Sequence, residues 1–107
     1  LLVVMAVPAT AKLIAMYDTR DAEMTVKITG YQWLWKYEYP GDKAGDSVSF
    51  VSRLDRKSEQ LRQSGKVPTA ADHQHYLLDV DNPLVLPVDT KIHFLITADD
   101  VIHAWWV

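Results

Sequence analysis

The stretch YQWLWKYEY, residues 31–39, carries an aromatic ring at every second position. Side chains on a β-strand alternate between the two faces of the sheet, so this spacing predicts a strand with all the rings on one face. Pro40 and Gly41 follow at once and are expected to end the strand. Such rings by themselves are more typical of a hydrophobic core than of a binding site. We therefore expect a β-domain built around this stretch.

Segments with strand-like patterns lie on both sides of it. Residues 24–29 alternate apolar and polar side chains before Gly30 interrupts the pattern. The polar segment 55–75 is expected to be a long loop or to contain a short helix at 58–63, ended by Gly65. The coarse prediction is a mainly β domain, a sandwich or small barrel, over residues 24–107. Its remaining strands are predicted at 47–54, 76–80, 84–88, 91–97 and 101–107.

The N-terminal segment, residues 1–17, is apolar except for Thr10 and Lys12. A bilayer core requires about 20 apolar residues in a helix, so the segment is short for a complete span. We interpret it as the C-terminal part of a transmembrane helix, with an amphipathic or core helix as the alternative. The juxtamembrane linker 18–23 has three acids and one base, which disfavours the cytoplasmic side.

Composition limits the class of protein. The chain has 107 residues, 49% hydrophobic and 23% charged, which suits one small folded domain. A net charge of -3 without a Lys/Arg cluster gives no reason to expect nucleic-acid binding. Cysteine is absent, so the sequence offers neither a disulfide nor a thiolate ligand. The chain begins with Leu1 and stops inside the apolar run VIHAWWV, and both ends are expected to be cuts in a longer chain.

The histidines are the candidate metal ligands. His103 lies within the apolar run 101–107, where an isolated histidine is more often a packed core residue. His73 and His75 have a spacing that can chelate a metal, but a solvated loop is favoured because no further ligand is near in sequence. His93 is expected at the surface.

Acidic side chains are concentrated in the last part of the chain. Residues 76–107 hold five acids and one base, whereas residues 1–75 hold nine acids and ten bases. A solvated acidic face is one interpretation, and a patch that attracts a basic protein is the other. The five acids are Asp79, Asp81, Asp89, Asp99 and Asp100.

Three segments together carry a resemblance: VKITGYQWLWKYEY (26–39), LLDVDNPLVLPVDTKI (77–92) and DDVIHAWWV (99–107). They are similar, in the same order, to subunit II of bacterial haem-copper cytochrome c oxidases; the match is weakest in the loop 55–75. The resemblance implies two membrane helices followed by a cupredoxin-like Greek-key β-barrel that holds the binuclear copper centre CuA. This chain then corresponds to the end of the second helix and an incomplete barrel.

The resemblance also implies roles for individual residues. Trp33, with Trp35 in the same Gln-Trp-x-Trp pattern, marks the point at which cytochrome c delivers its electron. His103 is a side-chain ligand of CuA, and the other ligands, cysteines included, lie outside this chain. We therefore expect no complete copper centre in these 107 residues. The candidates for docking cytochrome c are Asp100 and Asp99 first, then Asp79 and Asp81.

Regular alternation places Trp33 and Trp35 on the same face, whereas the implied roles differ. We expect a bulge or a strong twist to separate the two rings. Trp35 is then expected to pack toward the catalytic subunit, with Trp105 and Trp106 near the copper.

The implied function is electron relay from cytochrome c through CuA to haem a in subunit I, where oxygen is reduced. The chain alone is not catalytic but belongs to a proton-translocating oxidoreductase. Expected partners are subunit I, other oxidase subunits, cytochrome c and the inner membrane, with the β-domain on the periplasmic side. Two alternatives are a copper-free subunit II of a quinol oxidase and an unrelated extracytoplasmic β-sandwich binding module.

Overall fold

The computed structural model describes residues 1–43 and 45–107. The described strands form a mixed sheet in the order β3-β2-β1-β4. β1 pairs antiparallel with β2 and parallel with β4, and β2 pairs antiparallel with β3. The mainly β prediction is confirmed, whereas the Greek-key barrel stays a prediction. The elements in chain order are α1 (Leu2–Tyr17), β1 (Met24–Tyr31), β2 (Leu34–Tyr39), β3 (Val48–Ser52), α2 (Arg56–Gln63) and β4 (Ile92–Ala98).

Helix α1 lies away from the sheet, with all its residues exposed. It ends where Asp18 adopts an extended backbone, and the Asp18 carboxylate pairs with Arg20 at 2.6 Å. The helix has 16 residues, and no helix in the described part of the chain combines the length and apolarity needed to cross a bilayer. Its assignment as the end of a membrane helix stays a prediction.

The aromatic stretch 31–39 forms a tight hairpin rather than one strand. β1 runs through Gly30 to Tyr31, Gln32 and Trp33 form the turn, and Tyr31 pairs with Leu34 in the register of β2. Tyr31 therefore lies on the opposite face from Trp35, and the prediction that all the rings share one face is wrong. The expected bulge is also wrong, because the turn itself separates Trp33 from Trp35.

The hydrophobic core covers one face of this sheet. Val26 and Ile28 of β1 are completely buried, and Tyr37 of β2 is nearly so. These three residues share a face because Ile28 pairs with Tyr37 and Val26 is two positions from Ile28. Half-buried side chains from all four strands and from the segments before and after β4 complete the cluster: Met24, Trp35, Tyr39, Phe50, Leu84, Leu86, Ile92, Phe94 and Trp105.

Two predicted strands between β3 and β4 are absent from the described sheet. Residues 76–80 form turns, with Leu77 at a φ of 62°, and only Val80 makes an isolated bridge. Residues 84–88 run beside the sheet without joining it. The Tyr39 hydroxyl instead donates to the Val85 carbonyl at 3.0 Å and accepts from the Val85 amide at 3.3 Å. A side chain thus replaces the strand pairing that the apolar pattern suggested.

The predicted strand 101–107 is likewise wrong. After β4 ends at Ala98 the chain bends and returns over the core face of the sheet without pairing. The Trp105 indole donates to the Tyr37 hydroxyl at 3.3 Å, and its ring centroid lies 5.2 Å from that of Phe94. Trp105 therefore packs onto the sheet, whereas Val101, Ile102, Trp106 and Val107 are exposed.

Helix α2 confirms the helix considered within segment 55–75. Asp55 caps it by accepting from the amides of Lys57 and Ser58 at 2.9 and 3.1 Å. Ser64 ends the helix, and Gly65 follows with a φ of 68° that favours glycine.

Candidate functional site

His103 packs directly on the backbone of β1 at Gly30. A β-carbon at Gly30 would lie 2.9 Å from the Cβ, Cγ and Cδ2 atoms of His103. The Gly30 carbonyl also accepts the Asp99 amide at 3.1 Å, which fixes the start of the returning chain. Trp35, which pairs with Gly30 in the sheet, meets the imidazole edge-on at 5.8 Å between centroids. The position of His103 is therefore restricted by two contacts, with the Gly30 backbone of β1 and with the Trp35 ring.

Asp100 joins His103 to the hairpin turn. One carboxylate oxygen lies 2.7 Å from His103 Nε2, and the other accepts the Gln32 amide at 2.7 Å. The Val101 amide donates to Asp100 Oδ1 at 2.6 Å. The Gln32 amide above all, and then His103, lower the pKa of Asp100 to about 2. The carboxylate is therefore ionised at neutral pH, with its oxygens already engaged; its docking role stays a prediction.

The two tryptophans have different environments. Trp33 lies at the hairpin turn with 88% of its surface exposed, whereas Trp35 is half-buried against the core. Both line a groove that also reaches His103. The structure thus brings Trp33, Trp35 and His103 to one groove, and their roles stay predictions.

The other predicted acids are in two places. Asp99 is exposed next to Tyr31, whose pKa is raised by burial and then by the Asp99 carboxylate. Asp79 and Asp81 lie at the base of segment 53–81: the Asp79 carbonyl accepts the Asp55 amide, and Asp81 accepts the amide of Arg53 at 2.8 Å. Between these two acids, Val80 lines the groove that reaches His103.

The H-x-H pair does not form a solvated loop. The His73 side chain is only 10% exposed, and its Nε2 lies 3.2 Å from the capping carboxylate of Asp55. His73 Nδ1 accepts the His75 amide at 3.2 Å. The expectation of a solvated loop is wrong for His73, because the cap of α2 provides a partner that is remote in sequence. His93 is also partly buried rather than fully at the surface.

The donor atoms present fit one ligand of a copper centre. Within residues 1–43 and 45–107, no three His, Cys, Asp or Glu side chains converge on a point that could hold a metal. His103 Nε2 faces Asp100, so Nδ1 is the nitrogen left for a metal, and a carboxylate behind a ligating imidazole is the usual arrangement. The described residues therefore supply one oriented imidazole and not a complete binuclear site.

Sequence reasoning missed two supporting residues. Gly30 interrupts the alternating pattern, and a glycine inside a strand often marks a close approach of another chain segment. The Asp100-x-x-His103 spacing is visible in the sequence and is the signal that links Asp100 to His103, in addition to its predicted docking role. The link to Gln32 had no sequence signal, since 68 positions separate Gln32 from Asp100.

The sequence of this chain matches those of known proteins from one family. A family model described as the periplasmic domain of cytochrome c oxidase subunit II matches residues 24–107. The cytochrome c oxidase subunit 2 of Zancudomyces culisetae is 37% identical over 111 residues, covering 100% of this chain and 39% of that protein. The probable cytochrome c oxidase subunit 2 of Rickettsia bellii is 39% identical over 109 residues, covering 100% of this chain and 35% of that protein.

A yeast relative agrees with these matches. The cytochrome c oxidase subunit 2 of Saccharomyces cerevisiae is 37% identical over 105 residues, covering 96% of this chain and 38% of that protein. The chain thus spans less than half the length of the curated relatives it matches. The matches to relatives extend over the N-terminal segment as well as the β-domain, and the chain belongs to the cytochrome c oxidase subunit II family.

Proposed function

We propose that this chain is the electron-accepting part of subunit II, taking electrons from cytochrome c at Trp33. In the intact subunit, His103 is one side-chain ligand of the CuA centre that relays electrons to haem a in subunit I. Bound copper supplies one-electron redox chemistry without a proton donor or nucleophile from the protein. The chain's own residues expose the accepting ring, orient the ligand and attract the donor.

The observation that carries this proposal is the hydrogen-bonded link from the turn to the ligand. Asp100 accepts from Gln32, the residue before the exposed Trp33, and also binds His103 Nε2, each at 2.7 Å. One carboxylate therefore fixes the turn and the imidazole relative to each other. Such a connection suits electron transfer, in which the accepting group and the metal must keep a constant separation.

The membrane placement rests on α1. All its residues are exposed, including eight large aliphatic side chains: Leu2, Val3, Val4, Met5, Val7, Leu13, Ile14 and Met16. Exposed apolar surface of this extent requires lipid or another subunit to cover it. We propose that α1 is the end of a membrane helix beside subunit I and other oxidase subunits. The β-domain then lies on the periplasmic side of the inner membrane.

Membership in the family excludes the unrelated β-sandwich module considered from sequence. The copper-free quinol oxidase alternative predicts that Trp33 has no role in electron delivery. The experiment below therefore tests the proposal and this alternative together.

The test is Trp33→Ala in the complete oxidase, with Tyr17→Ala as the control because Tyr17 is a similarly exposed aromatic residue, at 84% against 88%. Flash-induced electron transfer from bound cytochrome c should slow on the order of tenfold or more in Trp33→Ala, a barrier increase of about 1.4 kcal/mol. The Kd for cytochrome c should change much less, and Tyr17→Ala should leave the rate nearly unchanged. Equal effects of both variants would contradict the proposed role of Trp33.

A further inference from the structure

Segment 53–66, which contains α2, has the opposite charge from the rest of the chain. It holds five bases and two acids, a net charge of +3. The whole chain carries -3, so the residues outside the segment carry -6. All five bases are exposed: Arg53, Arg56, Lys57, Arg62 and Lys66. The segment is therefore a basic surface on an otherwise acidic chain.

The two acids of the segment are already engaged. The Asp55 carboxylate faces the helix cap, where it accepts from the amides of Lys57 and Ser58, and its side chain is 18% exposed. Glu59 pairs with Arg62 at 2.9 Å. The other four bases of the segment form no ion pair within the described part of the chain.

One acid outside the segment offsets part of this charge. Hydrogen bonds from Thr69 above all, and then the charges of Lys57 and Lys66, lower the pKa of Asp72. Its carboxylate is bound to the amide and the hydroxyl of Thr69, each at 2.8 Å. The surface keeps an excess of positive charge when Asp72 is included.

The fold of α2 holds two of these bases in fixed positions. Ser58 is completely buried, and its hydroxyl accepts the Leu77 amide at 3.2 Å. Leu61, three positions later and on the same side of the helix, is half-buried. Arg56 and Lys57, in the first turn, are exposed. The helix therefore has an anchored inner side and presents Arg56 and Lys57 to solvent.

The position of these two bases is unfavourable for the helix itself. The N-terminal end of a helix carries a partial positive charge, and acidic residues stabilise it there. Arg56 and Lys57 are the first two residues of α2, next to its cap at Asp55. Helix stability therefore does not account for them, which points to a role in binding.

We infer that the exposed side of α2 binds an acidic polypeptide segment of a partner protein through Arg56 and Lys57. Opposite charge on the two surfaces would direct the partner to α2, because the rest of this chain repels it. A positively charged electron donor is not the occupant, since these bases repel it. The inference goes beyond the proposed function and does not depend on it.

A membrane surface fits α2 less well than an acidic polypeptide does. Helices that lie on membranes insert large apolar side chains, whereas Leu61, the one such residue of α2, faces the protein. The helix also lies beside Trp33, at the opposite end of β1 from α1. The eight residues of β1 separate the two ends by roughly 23 Å.

The experiment measures, by fluorescence anisotropy, binding of a labelled peptide of alternating glutamate and serine to the complete oxidase in nanodiscs of neutral lipid. A peptide with glutamine in place of glutamate is the control probe. The test variant combines Arg56→Gln with Lys57→Gln. The matched control combines Lys43→Gln with Lys91→Gln, which removes the same charge from two exposed bases outside the segment.

The oxidase should bind the glutamate peptide and not the glutamine peptide. Because an exposed ion pair is weak, loss of two such pairs should raise the Kd roughly two- to tenfold, and added salt should reduce the difference. The Lys43 and Lys91 control should keep the Kd of the unmodified oxidase. Exchange of the two bases, Arg56→Lys with Lys57→Arg, should keep it as well.

Three results would overturn the inference. The first is an unchanged Kd in the test variant, or an equal rise in the matched control. The second is binding to phosphatidylglycerol vesicles that requires Arg56 and Lys57 while the peptide does not bind, which identifies a membrane as the occupant. The third is a loss of stability of the copper-free full-length subunit in the test variant, because the two bases would then serve the fold. Electron delivery through Trp33 is measured separately, so any of these results leaves the proposed function standing.

Discussion

Replacing Gly30 with alanine tests whether β1 sets the position of His103. The new methyl group would lie 2.9 Å from three side-chain atoms of His103, closer than carbon atoms normally approach. The imidazole cannot retreat freely, because Asp100 holds Nε2 at 2.7 Å and Trp35 lies along its edge. The clash must therefore be relieved by moving the whole 99–103 segment or breaking the Asp100 contact.

The size of the effect follows from two opposing contributions. Inserting a methyl group into a well-packed site costs about 1–3 kcal/mol. Replacing glycine with alanine on an extended backbone returns about 0.5–1 kcal/mol, because the unfolded chain loses conformational freedom. The free energy of unfolding should therefore fall by roughly 1–2 kcal/mol.

The assay is guanidinium unfolding of the copper-free full-length subunit, followed by tryptophan fluorescence. Gly30→Ala is compared with His103→Gly and with the double variant, since removal of the imidazole removes the clash. In the His103→Gly background, Gly30→Ala should be neutral or slightly stabilising, so the two changes should couple by about 1–3 kcal/mol, the size of the clash. An equal cost of Gly30→Ala in both backgrounds would refute the reasoning that β1 positions this ring.

Three further predictions concern the tryptophans, the α2 cap and the turn. Trp35→Ala should lower the free energy of unfolding by about 2 kcal/mol because its ring packs on the core, whereas exposed Trp33→Ala should change it by less than about 0.5 kcal/mol; equal losses in denaturant unfolding would contradict this difference. Ser58 above all, then His73, lower the pKa of Asp55 to about 2 from 3.8, so its contribution to stability is present above pH 3.8 and is lost as the pH falls toward 2. Acid titration of α2 by NMR should show this loss, and Asp55→Asn should abolish it; an unchanged titration would argue against the cap. Asp100→Asn should weaken cytochrome c association with a flatter salt dependence and also accelerate hydrogen exchange at the Gln32 amide, an effect that Asp99→Asn should lack.

Short-range residue patterns were sufficient to predict three elements of the fold, α1, α2 and β4. The apolar run before residue 18 predicted α1, the alternation from residue 91 predicted β4, and the polar run ended by Gly65 contained α2. The motifs around Trp33, Trp35 and His103 resemble those of the family and mark these residues as candidates without any geometry. These features depend on residues near each other in sequence.

The strands predicted at 84–88 and 101–107 failed for a shared reason, whereas residues 76–80 form turns. Apolar and β-branched residues fit a strand, but they fit equally well a segment that packs onto a sheet without pairing with it. The Tyr39 hydroxyl forms hydrogen bonds with both the carbonyl and the amide of Val85. The Trp105 ring packs on the core, and its indole donates to the Tyr37 hydroxyl. Whether such a segment pairs as a strand or only packs onto the sheet depends on contacts with residues that are distant in sequence.

The sequence by itself determined the β-rich class, the aromatic stretch and the apolar N-terminal helix, because each depends on residue type and short-range spacing; the ligand role of His103 is implied only by the resemblance to the family. Only the tertiary structure decided that the stretch folds at Gln32 and Trp33, that Trp33 is exposed while Trp35 is packed, and that Asp100 joins the turn to His103. The physical reason is distance along the chain. The contacts of Gln32 with Asp100, and of Gly30 with His103, join residues about seventy positions apart that meet only because β1 and β4 pair in parallel.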